Sequence, residues 1–189
     1  MIEYIIVISI AILNLAIGSL VYFKNRKDAT NATFFWMSFF STVWVLSNFF
    51  ENEQSLRNYG SLLLKIDFAS AAIMTYFFLY FCLNFPIKIR LSLPKKIIIL
   101  LLPLGCSILS FFSFIIKDIS FDGGGIQFQR GLLYWIYALV LMGYIAIGSL
   151  NLIFKLRRLK GVEKRQTFYV VLGLTLSASI AISINLILT

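Results

Sequence analysis

A chain of 189 residues that is 60% hydrophobic and only 13% charged, with a mean hydropathy of +0.89, is not a soluble domain, which would carry about 25% charge. Lipid is the remaining solvent, and in lipid every backbone N–H and C=O must be paired internally, so only helices or closed barrels span. The net charge of +9 does not signify a nucleic-acid partner, because the Lys and Arg residues sit in short connections between apolar runs rather than on one soluble face.

The apolar runs are about twenty residues long, which suits helices rather than the ten-residue alternating segments of a barrel. Six are legible in chain order: Ile2 to Phe23, Thr33 to Phe50, Ser61 to Phe85, Ile97 to Ile116, Leu132 to Leu156 and Thr167 to Leu188. Each covers a hydrocarbon core of about 30 Å at about 1.5 Å per residue. The expected fold is an all-α integral membrane protein, one domain over residues 1–189, built as a bundle of about six transmembrane helices. The first run has no basic segment before it, so it is expected to be a span rather than a cleaved signal. Pro86 closes the third run and Pro94 precedes the fourth, where a helix start tolerates it. Pro103 lies inside the fourth and is expected to kink it. Cys82 and Cys106 lie within apolar runs and are expected to be packing residues.

Orientation follows from the connections. The first carries Lys24, Arg26 and Lys27. The third carries Lys88, Arg90, Lys95 and Lys96, and the fifth Lys155, Arg157, Arg158, Lys160, Lys164 and Arg165. These odd connections hold 13 of the 17 basic residues, which places them in the cytoplasm and the N-terminus outside. After an even number of spans Thr189 is also outside. The outer connection from Asp118 to Gly131 has alternating stretches, Ile119 to Phe121 and Ile126 to Phe128, around Asp122-Gly123-Gly124-Gly125. That pattern predicts a short β-hairpin between helices 4 and 5; a flexible glycine loop is the simpler alternative. No Gly-Lys-Ser/Thr follows the glycines, so they are no phosphate cradle.

Polar residues inside the runs carry the functional information. At helical spacing Ser38, Ser41, Val45 and Asn48 share a stripe bordered by Trp44, and Tyr137, Leu141, Tyr144, Gly148 and Asn151 share another. Asn14 and Gly18 fall on one face with Ala11, and Gly173, Ser177, Ala181 and Asn185 form a small-residue ladder. These six, Asn14, Gly18, Gly173, Ser177, Ala181 and Asn185, are helix-packing candidates, because small residues let helices approach and Asn or Ser bond across them. Lys65 and Asp67 are two residues apart and cannot pair along a helix. Asp67 shares a stripe with Ser70, Ala71, Met74 and Phe78, which directs it to the bundle, while Lys65 snorkels outward. Such residues either anchor the helix at the interface or serve function. Trp44, Asn48, Asp67 and Tyr144 are the ligand-sensing candidates, lining a cavity open to the outer face. With no His, no nucleophile beside a base, no metal-ligand cluster and no nucleotide loop, no catalytic site, metal or cofactor is expected.

Several segments taken together resemble the N-terminal seven-transmembrane-helix region of sensor histidine kinases. They are Asn31-Ala32-Thr33-Phe34, Trp44 followed by Glu51 and Glu53, Leu64-Lys65-Ile66-Asp67, Phe81-Cys82-Leu83-Asn84-Phe85-Pro86 and Arg130-Gly131-Leu132-Leu133-Tyr134. Lys164-Arg165-Gln166, with Gly173 seven residues after Gln166, is the most specific, and Asn185-Leu186 is the last. The resemblance implies a signal-input module of a two-component receptor. It also implies a homodimer and a cytoplasmic kinase domain in cis or in trans as partners, besides the lipid bilayer. This sequence departs from the family in showing six runs rather than seven and no kinase motif, so it is expected to be a truncated piece or a product that has lost its output. A small membrane transporter or transporter subunit is the alternative from a different class, and a structural scaffold a third. Neither internal repeats nor an acid or base at mid-depth favours the transporter.

Overall fold

The computed structural model describes residues 2–89, 91–122 and 125–173. The chain forms α1 (Ile2–Lys24), α2 (Ala29–Glu51), α3 (Arg57–Asn84), α4 (Leu93–Leu109), the hairpin β1 (Ile116–Asp122) and β2 (Gly125–Arg130), and α5 (Tyr134–Arg158). Residues 161–173 are again helical. The all-α membrane bundle with a small two-stranded sheet is therefore the architecture. Helices α1, α2, α3 and α5 are long and apolar enough to cross a membrane.

Hydropathy placed the helix ends imperfectly, and the differences have local causes. Helix α2 starts at Ala29, four residues before the apolar run, because Asp28 caps it. The Asp28 Oδ1 accepts from the backbone N–H of Thr30 at 2.7 Å and of Asn31 at 3.4 Å, satisfying donors that a helix start leaves orphaned. Helix α3 likewise begins at Arg57, after a single 3₁₀ turn at Gln54–Leu56. The fourth run was expected to stay helical to Ile116, but α4 ends at Leu109. There the amides of Phe111 and Phe112 turn back to Ile108 and Leu109. The tighter i→i+3 bonds unwind the helix before β1 begins. The last described helix starts earlier than Thr167, at Gly161, whose φ of +62° is the left-handed conformation glycine adopts without strain. The remainder of the sixth run, from residue 174, lies outside the described residues.

The hairpin forms where the alternating stretches predicted it, with Ile119 opposite Phe128 and Ser120 opposite Gln127, and an irregularity between Ile116 and Ile119. Its root explains Arg130-Gly131. The Gly131 amide donates to Ile115 O at 2.8 Å, and a Cβ at Gly131 would collide with the carbonyl of Phe114. Only glycine permits this approach.

Helix α3 is the centre of the bundle, packed against α2, α4 and α5, while α1 rests on α2 alone among the major contacts. Its buried residues run along its whole length, from Gly60 to Asn84. One core cluster joins Leu64, Ala72, Leu79, Cys106, Val140 and Tyr144; a second joins Phe78, Phe81, Cys82 and Leu152, with Val170 and Val171 from the last described helix packed on it. Both cysteines are buried and unbridged. Helix α1 exposes Ile2, Ile5, Ile12, Leu13 and Leu20, an apolar face that lipid solvates and water does not.

A polar junction at the hairpin end of the bundle

Glu51 is the last residue of α2 and Asp67 lies nearly three turns into α3. Both are buried, at 6% and 7% exposure, and within electrostatic reach of each other. The Asn48 side chain, one turn before Glu51, lies beside the Asp67 carboxyl. One oxygen of each carboxyl, Oε2 of Glu51 and Oδ1 of Asp67, is buried without a partner. The chain neighbours of both acids hold the hairpin. Asn52 Oδ1 accepts from the Ile126 amide at 3.1 Å, and Phe68 packs edge-on against Phe128 with ring centroids 5.4 Å apart. From α5, Tyr137 donates its hydroxyl to Phe68 O at 2.8 Å and stands in the field of Asp67. Four elements (α2, α3, the hairpin and α5) therefore meet at two acids.

The four ligand-sensing candidates do not all come together. Asn48 and Asp67 do. Trp44 stands on α2 one turn from Asn48 and is 37% exposed. Tyr144 lies two turns along α5 from Tyr137, about 10 Å further from the junction. Its hydroxyl donates to Ile99 O at 2.7 Å. That carbonyl is the one Pro103 leaves without a helical partner, since proline has no N–H to return to residue i−4. Tyr144 thus repairs the defect Pro103 makes in α4. Sequence reasoning missed Glu51 as a member of the site, although its i+3 spacing from Asn48 puts it on the same face of α2.

Of the six packing candidates, Asn14 and Gly18 fall at the α1–α2 contact. Asn14 Nδ2 donates to Ser38 O at 3.0 Å and to Thr42 Oγ1 at 3.1 Å. A Cβ at Gly18 would meet Ser38 Cβ at 2.7 Å, so the glycine sets the helix separation. A Cβ at Gly173 would meet nothing within 4 Å. Ser177, Ala181 and Asn185 lie outside the described residues. Ser38 and Ser41 line a lateral groove of about 420 Å³ with Met37, Met74, Thr75 and Ser149.

The opposite end of α3 is held as firmly. Lys155 of α5 sends its ammonium to the carbonyls of Cys82, Leu83, Phe85 and Ile87, at 2.8 to 3.0 Å. These include carbonyls that the end of a helix leaves orphaned, and a cation there complements the helix dipole. Nearby, Lys88 pairs with Asp28 at 3.1 Å.

A family model described as the N-terminal 7TM region of histidine kinase matches residues 6–188. The chain belongs to this family. Comparison with curated proteins and with solved structures gave no match. As a member of the 7TM region of histidine kinases, it is a multi-pass membrane protein. Its family segments fall at structural joints. Asp67 sits in the hairpin-side junction, the carbonyls of Cys82, Leu83 and Phe85 receive Lys155, and Gly131 closes the hairpin root. Among the described residues no three Cys, Asp or Glu side chains converge.

Proposed function

We propose that this chain is the membrane-embedded signal-input module of a histidine-kinase-type receptor, and that the outer junction of Glu51, Asp67 and Asn48 is where the signal is received. The observation that carries this is the pair of buried acids, each with an unsatisfied oxygen, at the meeting point of four elements. Unsatisfied buried polar groups are costly, and a costly arrangement inside a membrane domain suits a site that a stimulus relieves. A change at Asp67 moves α3, whose far end is tied to α5 through Lys155. Helix α5 leads into the basic connection before the last described helix, so two packings of α3 against α5 would bias whatever follows. The output is a kinase domain in cis or in trans, and the working unit a homodimer.

The test is signalling by the complete receptor carrying Asp67→Asn or Asn48→Ala. Altered basal output or stimulus response in both, with expression unchanged, is the expected result. Wild-type behaviour in both variants would remove the junction from the signalling path.

A further inference from the structure

We infer that the Glu51–Asp67 junction binds a hard divalent cation of the calcium or magnesium class. The binding claim does not rest on the sensor reading above; only its consequence for signalling does. Three observations converge on a positive occupant. Two carboxyl groups, each more than nine-tenths buried, lie within electrostatic reach of each other, and Glu51 Oε2 and Asp67 Oδ1 have no hydrogen-bond partner. Two such charges out of water repel and lose hydration together, a cost that a bound cation offsets and the neighbouring neutral Asn48 amide does not. Second, Glu51 is the C-terminal residue of α2. The last carbonyls of a helix carry the negative end of its dipole, so the backbone adds to the same potential. Third, the side chains at the junction offer oxygen donors. The two carboxylates and the neighbouring Asn48 amide offer no thiolate and, in a chain without histidine, no imidazole. Oxygen donors select hard cations over transition metals.

The position gives the occupant a structural consequence. Asn52, next to Glu51, accepts from the hairpin amide of Ile126, and Phe68, next to Asp67, packs on Phe128 of β2. Drawing Glu51 and Asp67 together therefore pulls both hairpin anchors toward each other. On α5, the Tyr137 hydroxyl reads the same movement through its bond to Phe68 O.

The experiment is thermal unfolding of the full chain in detergent, with CaCl₂ or MgCl₂ titrated against choline chloride at matched ionic strength. Wild type should rise in Tm by several degrees, with half-saturation at about 0.1–1 mM, the range of extracellular oxygen-donor sites. Glu51→Gln and Asp67→Asn should each abolish the response. In cation-free buffer both should melt at or above the wild-type temperature, because one of two repelling charges has gone. A merely structural pair would instead lose stability on either substitution. The proposal is overturned if wild type shows no divalent-specific shift, or if the shift survives in the double variant. It is also overturned if stability follows pH alone, which would assign a shared proton to the pair. Divalent binding with unchanged output from the complete receptor would retain the site and sink the sensor role.

Discussion

Tyr144 shows how a polar residue inside a span can mislead. On sequence it belongs with the ligand-sensing candidates, since a tyrosine hydroxyl on a helix face in lipid needs a partner. The partner is the Ile99 carbonyl, left open by Pro103. The relation could be suspected from the i−4 rule for Pro103, yet nothing in the sequence says that α5 lies against α4 at that level. A double-mutant cycle isolates the relation. Tyr144→Phe leaves a carbonyl without a donor in a low-dielectric setting and should cost about 1–3 kcal/mol. Pro103→Ala returns an N–H to that carbonyl, so in its background Tyr144→Phe should cost much less. Thermal or denaturant unfolding of the four proteins measures the coupling, and additive costs would refute it. Asp67 is the contrasting case. Its burial was legible, because Ser70, Ala71 and Phe78 mark the inward face of α3. Its pairing with Glu51 was not, because that depends on where α2 ends against α3.

Helix ends carry much of what holds the elements together, and they are where hydropathy was least informative. A run counted by apolar residues cannot see a polar first turn, so α2 was placed to begin at Thr33 although Asp28 already starts it. Asp28 also reaches Lys88 beyond the end of α3. Burial opposes its charge, but hydrogen bonds from Lys88 and Thr30 outweigh that and hold its carboxyl below the usual aspartate range. The group therefore binds protons less readily in the folded chain than in the unfolded one. Its stabilising contribution is present above the ordinary aspartate range and is lost as pH falls through the folded-state value. Asp28→Ala should lower stability by about 0.5–2 kcal/mol, the cost of a lost N-cap. Asp28→Asn keeps the capping oxygen and loses only an exposed pair, so it should cost about 1 kcal/mol or less. It should also flatten the acid limb of the stability curve. Equal losses in both variants would show that the ion pair, and not the cap, carries the effect. Lys155 is the other end device that sequence could not supply. Its position among the basic residues at the end of the fifth run reads as charge for the cytoplasm, while the fold turns its ammonium inward onto the end of α3.

At the scale of the whole molecule, charge counting and tertiary contacts are independent and agree on parity. At one end Tyr4 packs edge-on against Phe49 near the end of α2 and Asn52 meets the hairpin at Ile126, so the N-terminus, the α2–α3 connection and the hairpin share a side. At the other, Asp28 pairs with Lys88 and Lys155 reaches Ile87 O, which groups the first, third and fifth connections. That grouping was legible early because loop charge is additive along the chain and needs no knowledge of packing. Which group faces the cytoplasm is the remaining step, and the positive-inside rule predicts the second side, which holds 13 of the 17 basic residues. The chain suits a direct test, since Cys82 and Cys106 are 0% and 7% exposed and give little background to a thiol reagent. Glu3→Cys and Gln54→Cys should react with a membrane-impermeant maleimide on intact cells. Lys27→Cys and Lys160→Cys should react only after permeabilisation. The reverse pattern would put the Glu51–Asp67 junction on the cytoplasmic side, where it would meet cytosolic magnesium rather than an external signal.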